Sequence, residues 1–142
     1  MISAIHHVAI ICADYARSKH FYTQVLGFEV VNETYRADRQ SYKLDLQVNG
    51  RDRIELFSFP TPPARPSYPE ACGLRHLAFA VADLAAQIAV LAANGITTEP
   101  IRTDELTGQR FTFFQDPDGL PLELYECPPQ DLSGARNQTS EN

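Results

Sequence analysis

The chain repeats itself. Ile5-His6-His7-Val8-Ala9-Ile10-Ile11-Cys12-Ala13-Asp14 recurs 69 positions later as Leu74-Arg75-His76-Leu77-Ala78-Phe79-Ala80-Val81-Ala82-Asp83, with His7 under His76, Ala9 under Ala78 and Asp14 under Asp83. At the far end of each copy, Ile54-Glu55-Leu56-Phe57 matches Leu122-Glu123-Leu124-Tyr125 at an offset of 68, a one-residue deletion falling near Gly27 and Gly95. Such a period dictates architecture before any local reading does. Two copies make a duplicated module rather than a solenoid, and each opens on a strand carrying a histidine and closes on a strand carrying a glutamate.

The local signals agree with that division. In the first copy, residues 5–11 predict a strand, and Asp14 is placed to cap a helix whose apolar face is Phe21, Tyr22, Val25 and Leu26, ending at Gly27. Strands follow over 28–35, 42–48 and 53–59, with Asn49-Gly50 as a hairpin turn between the last two. Five prolines between Pro60 and Pro69 then rule out both helix and sheet ladder. The second copy predicts a strand over 74–81, a helix capped by Asp83 and carrying Leu84, Ile88 and Leu91, and strands near 97–102, 110–115 and 120–126. Asp116-Pro117-Asp118-Gly119 is a tight turn before the last of these. The fold class is therefore α+β, as two tandem βαβββ modules over 1–59 and 74–127, with a proline-rich connector over 60–73 and a polar tail over 128–142 expected to be disordered.

Bulk properties exclude more than they assign. A net charge of −6 lacks the basic footprint of a nucleic-acid binder. No apolar run reaches the ~18–20 residues of a membrane span, and the N-terminus shows no secretion signal, so a cytoplasmic protein is expected. Cys12, Cys72 and Cys127 have no metal-type spacing, and their odd number argues for reduced thiols rather than a disulfide framework. The sequons at Asn32 and Asn137 carry no meaning without a signal.

Strand alternation assigns faces. Val8 and Ile10 point one way and His7 and Ala9 the other; Leu77, Phe79 and Val81 oppose His76, Ala78 and Ala80. The bulky side packs under the module's own helix, leaving the histidine and the small alanines to line an open concavity. Glu55 and Glu123, each flanked by apolar residues, fall on that same open side. His6 lies on the helix-facing parity and is excluded as a ligand, and His20 is expected in solvent. A lone strand histidine is more often a satisfied core residue than a ligand, and a lone strand glutamate usually faces water. Recurrence of both at matching places in two copies favours a metal site instead: His7, Glu55, His76 and Glu123 around one divalent cation. Two imidazoles and two carboxylates suit Ni or Zn first, then Co, Mn or Fe. Four protein ligands leave positions open for chemistry.

With His7-Val8-Ala9-Ile10, Phe21-Tyr22, Leu26-Gly27-Phe28, Ile54-Glu55-Leu56, His76-Leu77-Ala78 and Asp116-Pro117-Asp118-Gly119 leading to Leu122-Glu123-Leu124, the sequence resembles the vicinal oxygen chelate superfamily over residues 5–126. That group holds glyoxalases, bleomycin-resistance proteins and dioxygenases. The resemblance implies modules that build a curved, barrel-like mixed sheet around a metal-binding cavity, and a homodimer. Among its members the four-ligand set is most similar to that of glyoxalase I. Family dioxygenases and fosfomycin-modifying relatives use two His and one Glu, and methylmalonyl-CoA epimerase relatives typically have Gln where Glu55 stands.

The resemblance implies a lyase or isomerase that moves a proton between neighbouring carbons of a small oxygen-rich substrate through a metal-stabilised enediolate. Glu123 is the first choice for the base and Glu55 the second. The alternatives are a non-catalytic ligand-binding protein, an Fe(II) dioxygenase or an epimerase of the same group. Arg36, Arg39 and Lys43, or Arg110 with Phe111 and Phe113, are candidates for gripping an anionic substrate beside an aromatic wall.

Overall fold

The computed structural model describes residues 1–132. Residues 133–142, most of the polar tail, lie outside the described residues. The chain divides into two compact units, the first Met1–Pro69 with Asp116–Leu120, the second Glu70–Gln115 with the residues from Pro121 onward.

The first unit runs β1 (Val8–Cys12), α1 (Tyr15–His20), β2 (Glu29–Arg36), β3 (Ser41–Val48) and β4 (Asp52–Ser58). Its sheet has the order β1-β4-β3-β2, with β1 parallel to β4 and the other pairs antiparallel. Asp14 caps α1 by accepting from the Arg17 N–H at 3.1 Å. The helix continues into a π-helical turn over Phe21–Val25, closed by the Leu26 N–H donating to the Phe21 carbonyl at 3.0 Å. That extra width turns Phe21, Tyr22 and Val25 together into the core. They meet Ile10, Cys12, Leu44, Leu46, Ile54 and Leu56, all buried on the helix-facing side of the sheet. Asn49 (φ 50°) and Gly50 (φ 68°) turn β3 into β4, as the Asn-Gly pair predicts.

The second unit runs β5 (Leu77–Val81), α2 (Leu84–Ala93), β6 (Arg102–Thr103), β7 (Arg110–Gln115) and β8 (Pro121–Glu126), in the order β5-β8-β7-β6 with β5 parallel to β8. Asp83 caps α2 through the Ala86 N–H at 3.0 Å. Leu84, Leu91, Thr112, Phe114, Leu122 and Leu124 form its core. A further short helix, α3 (Pro129–Leu132), stands where the sequence predicts the start of a disordered tail.

The sequence expectations need correction in three places. Among the described residues, the strands form two four-stranded mixed sheets, one in each unit, where a single barrel-like sheet is expected. The second strand of the second module shrinks from residues 97–102 to Arg102–Thr103, because Pro100 has no N–H to give the ladder. Both first strands start later than predicted, at Val8 and Leu77, so His7 and His76 stand one residue ahead of their strands rather than within them. In the second unit, continuing the parallel ladder back to His76 would require pairing at Pro121, which has no N–H to donate. Among the described residues, no helix is long and apolar enough to cross a membrane.

Candidate metal-binding half-sites

Each sheet has a packed face and an open face, and register fixes what stands on the open one. Ala9 pairs with Glu55 in the first unit and Ala78 with Glu123 in the second, the same relation in both. A histidine two residues before each alanine shares its face. The side chains meet: His7 Nε2 lies 3.2 Å from a Glu55 carboxylate oxygen, and His76 Nε2 lies 3.0 Å from one of Glu123. The alanines leave the room above the strand into which the imidazole and carboxylate reach. Each unit therefore brings together one of the two His–Glu pairs that the repeat predicts. Among the described residues, no group of three or more His, Cys, Asp or Glu side chains gathers in a way that could hold a metal ion.

The surroundings of the two pairs differ. Glu55 accepts a second ion pair from Lys43 Nζ at 3.3 Å, and the same ammonium lies 3.6 Å from Asp45. Asp45 stands directly across from Glu55 in the β3–β4 register. Its counterpart across from Glu123 is Phe113, whose ring meets His76 edge to face at 5.1 Å. His6 joins His7 through a nitrogen-to-nitrogen hydrogen bond at 2.9 Å, Nδ1 to Nδ1, which leaves His7 Nε2 for Glu55. Helix-facing parity, which sets His6 apart from the ligand candidates, does not disclose this contact with His7. Period-two alternation in β3 does make Lys43 and Asp45 legible as Glu55's neighbours.

The other predicted cations sort differently. Arg110 makes two hydrogen bonds to Glu126, at 3.0 and 2.9 Å, and Glu126 also accepts from the Leu84 N–H at the start of α2. Arg110 therefore serves the helix side of the sheet and not the Phe111–Phe113 wall. The guanidinium over that wall is Arg102, 5.2 Å from both ring centroids. In the first unit Arg36 donates to Ser41 Oγ at 2.8 Å and lies over Phe57 at 5.0 Å. His20 is exposed, as expected.

The donor set fits a small divalent cation. Two donors at adjacent positions on one such ion, each about 2.1 Å from it, stand about 3 Å apart, close to the observed imidazole–carboxylate separations of 3.2 and 3.0 Å. Without an ion the same spacing is a hydrogen bond or ion pair. The carboxylates bring the negative charge and the imidazoles the borderline-soft nitrogens that a transition metal prefers.

Duplicated βαβββ modules, each with a His–Glu pair at an identical register, define a class of two-module α+β proteins built to present polar side chains on an open sheet face. Residues 4–124 match the Glyoxalase/Bleomycin resistance protein/Dioxygenase superfamily, and the chain belongs to that superfamily. It is 64% identical to the uncharacterized protein YwkD of Bacillus subtilis, covering 89% of this chain and 98% of that one. It is 31% identical to a 2-epi-5-epi-valiolone epimerase of Actinomyces, over 88% of this chain and 80% of the other. Among solved structures, a glyoxalase family protein from Enterococcus faecalis is 53% identical with a TM-score of 0.81, covering 87% of this chain and 97% of that one. The trypanothione-dependent glyoxalase I of Leishmania major aligns with a TM-score of 0.66 at 25% identity, covering 88% of this chain and 87% of that one.

Proposed function

We propose that the protein is a metal-dependent lyase or isomerase of the glyoxalase I type, in which His7, Glu55, His76 and Glu123 together hold one divalent cation, nickel or zinc before cobalt, manganese or iron. The observation that carries this reading is the duplicated pair: the same two residue types, at the same register on the same face, each with imidazole and carboxylate within 3.2 Å. When bound, the cation supplies positive charge beside the substrate oxygens where negative charge develops.

The chain's own groups do the rest. Glu123 takes the proton from one carbon and returns it to the neighbouring one; its flank is the Phe113 ring, whereas one Glu55 oxygen is tied to Lys43. Lys43 keeps negative charge balanced at Glu55 and suits that carboxylate to a holding role. His6, bonded to His7, fixes the imidazole's orientation. The working form is a homodimer in the cytoplasm, where the exposed Cys72 thiol stays reduced.

The glyoxalase reading is tested with methylglyoxal and glutathione in the presence of nickel or zinc, followed by NMR in D2O. Metal-dependent formation of a hydroxyacyl thioester supports it; oxygen consumption in the presence of iron, or tight ligand binding without turnover, contradicts it. The 31% identity to an epimerase over most of both chains favours a second reading, proton removal and return at a single carbon. That reaction starts with the same base but takes its returning proton from the opposite face, and it is recognised by deuterium entering a recovered substrate whose stereocentre has inverted.

A further inference from the structure

We propose that Arg102 is the anion-gripping residue of the Glu123 face, and that the substrate carries a carboxylate or phosphate group. The proposal rests on the reading of that face as the reacting one. Phe113 stands across from Glu123 and Phe111 across from Tyr125, so these rings form a wall on the histidine-bearing side of the sheet. The central carbon of the Arg102 guanidinium lies 5.2 Å from the centroid of each ring, within cation–π reach of both.

Its strand is short but well fixed. Arg102 pairs with Phe111, the Glu99 N–H donates to the Phe113 carbonyl at 2.8 Å, and Thr112 donates to the Glu99 carbonyl at 2.6 Å. Beyond it, Tyr125 donates to Asp104 at 2.8 Å and shares a hydrogen bond with Thr107, which ties the following loop to the same wall. A guanidinium so anchored loses little freedom when it binds an anion.

The ion pair Arg102 already makes is replaceable. One nitrogen donates to Glu99 at 2.9 Å, and both side chains are more than half exposed, 53% and 58%. A pair this open to water is weak. The guanidinium has five donors, and this contact uses only part of them. Position supplies the size limit. β6, β7 and β8 are successive strands of one sheet, and strands lie ~4.8 Å apart. A guanidinium leaning from β6 over the rings of β7 therefore stands one to two strand spacings from the carboxylate of Glu123 on β8. That span suits a compact molecule with its anionic group at Arg102 and its reacting carbon at Glu123.

The test uses the full-length chain, labelled with nitrogen-15, stripped of metal by chelation and titrated separately with pyruvate and with inorganic phosphate. Saturable shifts of the Arg102, Phe111 and Phe113 amides are expected, and the anion that binds more tightly identifies the head group. Arg102→Gln, at an exposed position, should weaken that binding about tenfold or more. Glu99→Gln removes the competing carboxylate and should tighten it severalfold. Failure of both anions to bind, affinity unchanged in Arg102→Gln, or affinity not increased in Glu99→Gln overturns the proposal. Because the protein is metal-free, the result is independent of the cation site, whose failure would show in metal content instead.

Discussion

Asp116 is a carboxylate almost removed from water, and every partner it has is a donor. The Tyr22 hydroxyl donates at 2.8 Å, and the N–H groups of Asp118 and Leu120 each donate at 2.9 Å. Burial pushes its pKa up despite these bonds. Tyr22→Phe withdraws one donor from a charge that cannot turn to solvent, and should cost about 1–3 kcal/mol in urea unfolding. Glu126 shows the opposite behaviour: the Arg110 guanidinium first, and then the Leu84 N–H, hold its pKa below the usual 4.5. A carboxylate depressed on folding stabilises the protein above its unfolded pKa, and the effect is lost as pH falls through the folded one. Glu126→Gln should therefore lower the melting temperature at pH 7, with the gap to the parent protein closing as pH is taken well below 4.5. At the site, Glu123→Gln should keep part of the metal while turnover falls by roughly 10²–10⁴, the usual worth of a general base. Full retained activity would place the base elsewhere.

Among the elements, those governed by period and by caps were legible in the sequence. Asp14 and Asp83 cap the helices they predict, and the alternation of Tyr42, Leu44, Leu46 and Val48 returns as β3. The shared face of His7, Glu55, His76 and Glu123 was also legible from parity, whereas the contact of each histidine with its own module's glutamate follows from the parallel register. The misses have local causes. The predicted strand over 97–102 runs into Pro100, and the start of β5 is bounded by Pro121 on its neighbour. The π-helical turn over Phe21–Val25 leaves no mark in an apolar spacing that reads equally well as α-helix. Arg102 is not singled out by sequence, because adjacency to Phe111 and Phe113 favours Arg110 and says nothing about which face a side chain takes. At the β3–β4 turn, Gly50 has open space where a methyl group would stand, but a φ of +68°. Gly50→Ala should cost about 1 kcal/mol through backbone strain alone, read as a shift in the urea midpoint with metal binding unchanged.

For the molecule as a whole, the repeat announced two modules, but their sequence boundaries do not coincide with the compact units. Asp116–Leu120, the corner between β7 and β8, groups with the first unit, where Tyr22 and Asp118's partner Ala13 meet it across more than ninety residues of sequence. No local pattern carries a contact of that separation. Sedimentation should return a homodimer for the purified chain.

One cation held jointly by both pairs is what the proposed chemistry requires, and metal content measures it most directly. Protein loaded with nickel or zinc, dialysed and analysed by mass spectrometry should hold close to one ion per chain, and His7→Ala and His76→Ala should each empty the site. Retention of the ion in either variant, or an ion bound by one pair regardless of the other, would contradict the account.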